Sequence, residues 1–507
     1  MGTLIQSSSE ANLPIVRYVY LVQDATDAIR MGGTSSNVYT TAQAAYNAAN
    51  TLQIALGGTN IVGVIVGHTT AAVVGGITLT SDWNTRVYFI GNGVTISEIG
   101  NITADNAVGN SYRVGSSVVA SSARFYSIKI GNVSSSPTGA TGNSLGVGLY
   151  LVNSECGNIN TNVTNAANLT GTGGTVTLGA ATLPADFAVS TITTSAQGAV
   201  NAGSVTINSR SNVRVTNITT CNNNTGGSIT INCGLATITS ISMIGTVSTG
   251  TFQLTNCTVT LVTYTGSSKV DFVRSTIGSA TVTSLGGIFE HNIDNSNIGP
   301  LTSNVNIFTT AKNSRLTTIV NLGNNSIIEN SIINSESSAA SPAINGIGST
   351  VTFRNSTVRP ATGQLAIDNT NNPADVHLYD SQLYNNVDPA LTVYTYNGFT
   401  LLADVVGTFT FNAIPYRACE VVLAGSNAGV NTLDIINPIV GQTYTAYVNN
   451  STGTDTLTII MNSGLGTVIT QGGTPYTPTA SVGGLDLISI TCVNNSLLLI
   501  TPFYNYL

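Results

Sequence analysis

IDNSNI, residues 293–298, is the clearest copy of the pattern that decides the fold: apolar, any residue, Asn, Ser, any residue, apolar. The pattern occurs seven times, and its Ser position is filled by Cys257, Ser275, Ser296, Ser314, Ser331, Ser356 and Ser381. Successive copies lie about 21 residues apart on average. Repeats of this length cannot bury their own apolar face and must stack on their neighbours. Leucine-rich repeats share the period but need Leu at several fixed positions, so this motif favours a β-solenoid.

Each column of the aligned motif has its own chemistry. Two columns are apolar in all seven copies: Leu254, Phe272, Ile293, Ala311, Ile328, Phe353 and Leu378, and Val259, Ile277, Ile298, Leu316, Ile333, Val358 and Leu383. The position before the Ser is Asn in five copies, with Arg274 and Asp380 in the others. Asn tolerates the left-handed backbone conformation, so this column predicts a bend between two short strands. At a strand spacing of about 4.8 Å, the stacked amides could also form a ladder.

The column two positions before the Ser contains charged residues. Its members are Thr255, Val273, Asp294, Lys312, Glu329, Arg354 and Tyr379. The middle four alternate in sign, and their side chains should point outward, so we expect an exposed salt-bridge ladder. The alternative is a catalytic pair formed by Asp294 and Glu329. The intervening Lys312 and a separation of about 10 Å across two strands disfavour that pair.

Composition limits the classes of function. Only 7% of the 507 residues are charged, so hydroxyls and amides must cover most of the surface, as in secreted or virion β-structures. The net charge of −7 and the lack of a basic cluster argue against nucleic-acid binding. The six cysteines form no CxxC pair, and we expect free buried thiols. His68, His291 and His377 are too scattered for a metal site, so we expect no metal and no cofactor.

The N-terminus does not read as a targeting segment. MGTLIQSSSE lacks the basic and apolar blocks of an export signal, and no apolar stretch is long enough to cross a bilayer. The composition is nevertheless extracellular in type. We therefore expect no membrane insertion and a location on the virion surface, after assembly in the host cytoplasm.

Residues 1–58 are predicted to form an attachment or capping segment with a helix at about 40–53. Thr40 and Gln43 have capping-box spacing, and Gly57 and Gly58 follow the helix. Its apolar face would consist of Ala42, Ala45, Tyr46, Ala49 and Leu52. Such a helix would cover the open end of a solenoid.

The segments after the helix resemble a known fold. NIVGVIVGHT (60–69) follows Gly-Gly, and RVYFIGNG (86–93) ends in Gly-Asn-Gly. An Ala-rich helix followed by such strands resembles the start of the pectate-lyase-like parallel β-helix, the fold of polysaccharide lyases and phage tailspikes. The resemblance implies an all-β chain with a right-handed single-stranded parallel β-helix at 59–392. Because such rods in phage are usually homotrimers, it also implies a homotrimer.

The rhythm changes near residue 390, where longer strands predict an antiparallel β-sandwich at 393–507. IINPIVGQTYTAYVNN (435–450) and LDLISITCVNNSLLLI (485–500) are similar to a C-terminal β-sandwich of phage tail-fibre proteins. The residues that carry the similarity are Asn437, Pro438, Gly441, Tyr444, Asp486, Ile488, Ser489 and Ile490. We interpret them as turn and core residues.

These features favour a non-enzymatic virion appendage, such as a spike, head fibre or tail fibre, which contacts other virion proteins and the host surface. Tyr379, Tyr384, Tyr394 and Tyr396 cluster just before the sandwich. They either stack on a host surface glycan or pack the end of the solenoid, and packing is the favoured interpretation. A further aromatic group ends the chain: Phe503, Tyr504 and Tyr506.

Two other functions compete. A tailspike depolymerase, either a glycoside hydrolase or a lyase, needs two carboxylates in a groove. Its densest candidates are Asp271, Glu290 and Asp294, with Glu329 and Asp375 beyond. Only 22 acidic residues occur in 507, and none form a cluster beside aromatic residues, which favours no enzyme. A cellular surface-layer protein or adhesin is the third candidate, and it predicts an export signal.

Overall fold

The computed structural model describes residues 15–24, 26, 32–57, 59–93, 97–104, 111–115, 122–136, 143–163, 172–179, 186–194, 201–221, 227–245, 250–267, 269–285, 290–336, 342–362, 364–369, 373–384, 387–388, 390–396, 399–403, 408–413, 418–423, 430–450, 456–473, 475–478 and 484–504. The described chain is all-β, and most strand pairs are parallel. It divides into two compact units. Unit 1 comprises Met1–Ser326, Ser331–Gly348 and Arg359–Asp368, and unit 2 comprises Ile327–Asn330, Ser349–Val358 and Asn369–Leu507.

Strands follow one another along the whole described chain, with helices α1 (Ala42–Ala55) and α2 (Ala71–Val74) near its start. The first strands are β1 (Ile15–Leu21), β2 (Val38–Tyr39), β3 (Ile61–Val66), β4 (Ile77–Thr78), β5 (Val87–Gly91), β6 (Glu98–Ile99), β7 (Ile102–Thr103), β8 (Ala123–Tyr126), β9 (Lys129–Ile130), β10 (Val133–Ser134), β11 (Val147–Val152), β12 (Ser154–Cys156), β13 (Ile159–Asn160), β14 (Val176–Gly179), β15 (Phe187–Thr193), β16 (Val205–Cys221), β17 (Ile229–Ile244), β18 (Phe252–Gly266), β19 (Val270–Val273), β20 (Thr276–Ser284), β21 (Glu290–Asp294), β22 (Asn297–Lys312) and β23 (Arg315–Leu322). The remaining strands are β24 (Ser326–Glu329), β25 (Ile332–Asn334), β26 (Ile344–Ile347), β27 (Thr350–Arg354), β28 (Thr357–Arg359), β29 (Ile367–Asp368), β30 (Ala374–Tyr379), β31 (Gln382–Leu383), β32 (Leu391–Tyr396), β33 (Phe399–Ala403), β34 (Thr408–Asn412), β35 (Ala418–Leu423), β36 (Val430–Ile436), β37 (Thr443–Asn450), β38 (Thr456–Met461), β39 (Thr467–Thr470), β40 (Gly484–Asn494) and β41 (Leu497–Phe503).

Parallel register in unit 1 aligns one buried, mostly aliphatic residue from each repeat into a column. One column consists of Ile77, Ile102, Val133, Ile159, Ile192, Ile218, Ile241, Val262, Ala280, Leu301, Ile319, Ile344 and Ile367. A second consists of Ile99, Ile130, Cys156, Val189, Val215, Ile238, Val259, Ile277, Ile298, Leu316 and Ile333. The second column contains the apolar positions predicted after the motif Ser, which confirms that the motif copies of unit 1 stack. Such columns remove apolar side chains from water at every repeat.

The turn inside the motif has the predicted backbone conformation. All seven residues before the Ser or Cys have φ between 45° and 55°: Asn256, Arg274, Asn295, Asn313, Asn330, Asn355 and Asp380. Amide ladder contacts also form, since Asn355 Nδ2 donates to Asn330 Oδ1 at 2.9 Å. Arg274 adopts the same conformation, and its Nε donates to Asn256 Oδ1 at 2.8 Å. The residues of the Asn column therefore have a structural role, which is to form the turn.

The Ser column forms a chain of hydrogen bonds between neighbouring repeats. Five backbone N–H groups at this position donate to the hydroxyl of the next copy: the distances are 3.1 Å for Cys257 to Ser275, 3.0 Å for Ser275 to Ser296, 3.1 Å for Ser296 to Ser314, 3.1 Å for Ser314 to Ser331 and, in unit 2, 3.0 Å for Ser356 to Ser381. The hydroxyls donate in turn, as from Ser296 Oγ to the Asp294 carbonyl at 2.8 Å. Because these atoms are buried, each unmade bond would cost the desolvation of its donor.

Sequence reasoning missed an earlier copy of the motif. LVNSEC (151–156) has the same pattern, Asn153 has φ 47°, and the Ile128 N–H donates to Ser154 Oγ at 3.2 Å. A second amide ladder lies nearby, where the Asn132 N–H donates to Asn101 Oδ1 at 2.9 Å. The stacked strands therefore begin well before Cys257, the first copy of the motif recognised from the sequence.

Helix α1 was predicted at about 40–53 and runs from Ala42 to Ala55, and it differs from the prediction at its cap and at one position of its buried face. Thr41 is the N-cap, and its hydroxyl accepts the Ala44 N–H at 3.3 Å, so the predicted capping box of Thr40 and Gln43 is wrong. Gln43 instead binds another element, because its Oε1 accepts the Thr78 N–H at 2.7 Å. The buried face is Ala42, Ala45, Tyr46, Ala49 and Gln53, with Gln53 in place of the predicted Leu52. Gly57 follows the helix with φ 88°, and Gly58 lies outside the described residues.

The C-terminal part of unit 2 consists of two sheets that share one hydrophobic core. One sheet has the order β33-β35-β37-β40-β41-β39, and the other has the order β34-β36-β38. The predicted antiparallel arrangement is wrong for most of these strands, because only β37–β40 and β40–β41 are antiparallel. From β33 to β38 the chain alternates between the two sheets. Each strand therefore pairs with the previous strand of its own sheet and runs in the same direction. A direct hairpin forces antiparallel pairing, and β40–β41 is one.

The residues that carry the C-terminal similarity lie in a turn and in the core, as interpreted. Asn437 and Gly441 have φ 54° and 81°, and Tyr444 is fully buried with its hydroxyl accepting the Ile439 N–H at 2.8 Å. Ile488 and Ile490 are buried in the shared core. The Tyr444 hydroxyl thus fixes the turn that leads into β37.

Candidate functional site

Asp271, Glu290 and Asp294 lie on one side of two neighbouring strands of unit 1. In β19 and β21, Phe272 pairs with Ile293, and both are fully buried. Successive side chains of a strand point to opposite faces, so all three carboxylates point away from the core. The three catalytic residues predicted from the sequence therefore lie on the same outer surface.

Only two of these three carboxylates come together. Lys269 Nζ lies 3.4 Å from Asp271 Oδ1 and 3.7 Å from Glu290 Oε1. Asp294 lies four residues beyond Glu290, which is about 13 Å along a strand. Lys269 was not singled out from the sequence, although its two-residue spacing from Asp271 on a strand was a usable signal.

The cluster of Lys269, Asp271 and Glu290 does not match a glycosidase centre. Two carboxylates of such a centre need a sugar or a water between them. Here the Lys269 ammonium lies between Asp271 and Glu290. The arrangement is that of a surface ion-pair cluster, which contributes little to stability.

One charged pair of the predicted salt-bridge ladder has the expected register. Asp294 is paired with Lys312 in neighbouring strands of unit 1, as the alternation of signs requires. In unit 2, Arg354 is paired with Tyr379, and its guanidinium lies 5.6 Å from the Tyr379 ring centre. The column therefore ends in a cation–π contact. Glu329 lies in unit 2 while Asp294 lies in unit 1.

The four candidate binding tyrosines lie in unit 2. Tyr379 is half-buried against Arg354, whereas Tyr384 is 42% exposed. Tyr396 is paired with Tyr379 in the neighbouring strand, and Tyr394 lies two residues earlier on that strand. The side chains of Tyr394 and Tyr396 lie outside the described residues. The backbone register thus brings Tyr379 and Tyr396 together.

The terminal aromatic group is anchored by a buried carboxylate. Tyr504 stacks on Tyr476 with ring centres 5.9 Å apart, and the Tyr476 hydroxyl donates to Asp486 Oδ2 at 2.9 Å. Burial raises the pKa of Tyr476, with the Asp486 contact as a second cause. Phe503 and Tyr504 are about half exposed, and Tyr506 lies outside the described residues.

Two shallow grooves on the outer face of unit 1 were not anticipated. The larger, of about 390 Å³, includes Glu155, Ala188, Arg214 and Thr237 in its lining. These four residues occupy successive strands of one outward column. A second groove, of about 320 Å³, lies beside Arg315 farther along the same face. The overlooked LVNSEC copy would have placed Glu155 in this column.

Among the described residues of unit 1, the buried thiols and the buried imidazole offer no ready nucleophile or base. Burial raises the pKa of the Cys156 and Cys233 thiols to about 12 and also raises that of Cys257. A thiolate is the reactive form, so these thiols are inert near neutral pH. Burial lowers the pKa of His291 to about 3, and its Nδ1 lies 3.4 Å from Thr309 Oγ1. This imidazole is neutral at physiological pH.

The cysteine prediction is confirmed where it can be assessed. The free and buried thiols are Cys156, Cys233, Cys257, Cys419 and Cys492. The Cys221 side chain lies outside the described residues. Across the described ranges, no three His, Cys, Asp or Glu side chains group closely enough to hold a metal ion. In the same ranges, no helix is both long and apolar enough to span a bilayer.

Comparisons with known proteins add no identification. No family model, curated protein or solved structure matches this chain.

Proposed function

We propose that this chain is a structural virion appendage, a spike, head fibre or tail fibre that projects from a viral particle. The fold proposed with it is a right-handed single-stranded parallel β-helix, with α1 as its N-terminal cap and a mainly parallel two-sheet sandwich at the C-terminus. The observation that carries the proposal is the unbroken column from Ile77 to Ile367 in unit 1. Its thirteen registered positions correspond to a rod of about 58 Å at the spacing of paired strands.

The chemistry of the rod supports a mechanical role. Buried hydroxyls and backbone amides are satisfied between repeats, as along the Ser275–Ser296–Ser314 chain, so opening one repeat exposes unpaired polar groups on the next. The outer face is rich in uncharged residues, since only 7% of the chain is charged. A stiff, uncharged rod resists proteases and has few charged contacts to lose with salt.

The partners in this proposal are copies of the same chain, as a homotrimer, and other virion proteins. Host contact is assigned to exposed aromatic rings, namely Tyr384, which is 42% exposed, and Phe503 and Tyr504, which are about half exposed. An exposed tyrosine ring stacks on the apolar face of a sugar and keeps its hydroxyl in water. A host surface glycan is therefore the proposed ligand.

The test is to locate the chain on particles. Purified virions would be examined by mass spectrometry and then by cryo-electron microscopy, with the chain traced in the map. We expect the chain in stoichiometric amount, with its parallel repeats forming a projecting rod. A chain found only in infected-cell lysate, or inside the particle with its genome, would contradict the proposal.

A second candidate function, a polysaccharide depolymerase, rests on one observation. Asp271 and Glu290 lie on one outer surface, each within 4 Å of Lys269, so they form a catalytic pair only when a substrate displaces the lysine from between them. Asp271→Ala and Glu290→Ala would then each abolish release of oligosaccharides from capsular or O-antigen polysaccharide. Asp294→Ala is the matched control, because Asp294 is remote from the pair. No release by the unmodified chain would eliminate this candidate.

A further inference from the structure

Within the described residues of the C-terminal part of unit 2, two strands at sheet edges line one groove. β38 is the last strand of the three-stranded sheet, and β39 is the last strand of the six-stranded sheet. The turn at 462–466 joins these strands, and among the described residues the two strands do not pair with each other. An edge strand presents a row of backbone N–H and C=O groups and is a template for another strand. We call the groove between β38 and β39 the seam.

The seam is apolar and has room for a chain segment. Its volume is about 320 Å³, and its lining includes Leu457, Ile459, Val468, Ile469, Tyr476 and Ile500. Ile469 is 47% exposed, although its neighbour Val468 packs against the shared hydrophobic core. An aliphatic side chain left in water beside an open strand edge marks a surface that gains by being covered.

The chemistry of the seam specifies its occupant. Two strand edges are satisfied by main-chain hydrogen bonds, so the occupant is an extended polypeptide. No residue of the described lining carries a charge, and a charged side chain buried here would lose its hydration. Most strands of this chain meet that requirement, because residues 418–507 contain no Lys, Arg or His and only four acidic residues, Glu420, Asp434, Asp455 and Asp486. A typical soluble partner has about 25% charged residues and fits less well.

We propose that the seam binds an extended, uncharged strand from a second copy of this chain, so that assembly covers the edges of β38 and β39. The proposal concerns the isolated protein and does not depend on a virion role. It identifies the part of unit 2 through which copies associate.

The first test measures association of the purified full chain by light scattering and native mass spectrometry. Ile469→Lys places an ammonium in the seam and should weaken association at least about tenfold, the effect of a 1.4 kcal/mol loss. Leu465→Lys is the matched control: Leu465 is 88% exposed, precedes β39 and does not line the seam. It should associate like the unmodified chain.

A second measurement does not depend on whether the Ile469→Lys variant folds. Amide hydrogen exchange of the unmodified chain would be recorded at low and high concentration. Amides of β38 and β39 should exchange at least about tenfold more slowly when the protein is concentrated, because strand pairing covers them. Amides of β36, in the middle of its sheet, should show no such change.

Three results would overturn the proposal. First, the unmodified chain could be monomeric at every concentration. The seam would then be empty or filled by an unrelated protein. Ile469→Lys could associate as strongly as Leu465→Lys. Association could also occur while exchange in β38 and β39 stays independent of concentration, which would assign the contact to another surface.

Discussion

The repeats of unit 1 and the C-terminal part of unit 2 reach parallel pairing by different routes. Between Cys257 and Ser331 every repeat carries the motif, with a left-handed residue in the turn and a hydroxyl or thiol beside it. Between β33 and β38 the strands are also parallel, yet the motif is absent. Parallel stacking therefore does not need the motif. Apolar packing drives the stacking in both regions, and the motif fixes the turn and its hydrogen bonds.

The largest expected effect tests whether packing dominates in both regions. Phe272 of unit 1 and Phe411 of unit 2 are fully buried, and each makes an edge contact with a neighbouring ring, Phe252 and Tyr444 respectively. Phe272→Ala and Phe411→Ala should each lower the free energy of unfolding by about 3–5 kcal/mol. Denaturant unfolding followed by circular dichroism measures both. A loss below 1 kcal/mol in either would show that packing is not the common cause.

The next effect belongs to the motif region alone. Ser296→Ala removes the acceptor of the buried Ser275 N–H and should cost about 1–3 kcal/mol. Ser296→Cys should cost less, because Cys257 already occupies this column. Thr458→Ala, on an exposed position of β38, is the control and should change stability by less than about 0.5 kcal/mol. Equal losses for Ser296→Ala and Thr458→Ala would remove the special role of the Ser column.

The turn residue gives a similar but smaller effect. Asn295 has φ 48°, a conformation that a β-branched residue adopts poorly. Asn295→Val should therefore cost about 1–2 kcal/mol, whereas Asn295→Gly should be nearly neutral because Gly adopts positive φ without strain. Thermal unfolding of the two variants distinguishes backbone strain from loss of the amide. If Gly were as costly as Val, the Asn side chain rather than its backbone would be the important feature.

Low pH should lower the free energy of unfolding of unit 1 through protonation of His291 in the unfolded chain. Its pKa is lowered to about 3 by burial, so the unfolded chain takes up a proton below about pH 6.5 that the folded chain does not. Stability present above pH 6.5 is lost as the pH falls toward 3, by about 1.4 kcal/mol at pH 5.5. His291→Leu should remove this slope, and His68→Gln, at an exposed position, should retain it. Unfolding curves at pH 7.5, 6.5 and 5.5 measure the difference.

The stacked repeats were predictable because the motif has side chains with strict local demands. The positive φ of Asn295 and the burial of Ile298 follow from residue type and spacing alone. The C-terminal pairing was not predictable, because alternating apolar residues specify a strand but not the direction of its neighbour. The capping box failed because Thr41 is an equally good cap one residue later.

The candidate site was predictable only in part. The alternation rule placed Asp271, Glu290 and Asp294 on one face, but Lys269 between the first two depends on the register of separate strands. The seam depends on where β38 and β39 end relative to two sheets. No local sequence pattern encodes an unpaired edge, because the missing partner is defined by the whole sheet.

The most direct test of the central claim is a crystal structure of the full chain. We expect Ser275, Ser296 and Ser314 to occupy equivalent positions in successive parallel strands, about 4.8 Å apart, with the Ser296 and Ser314 hydroxyls each accepting the N–H of the preceding copy. Antiparallel pairing of these segments, or a register that separates the three serines, would contradict it.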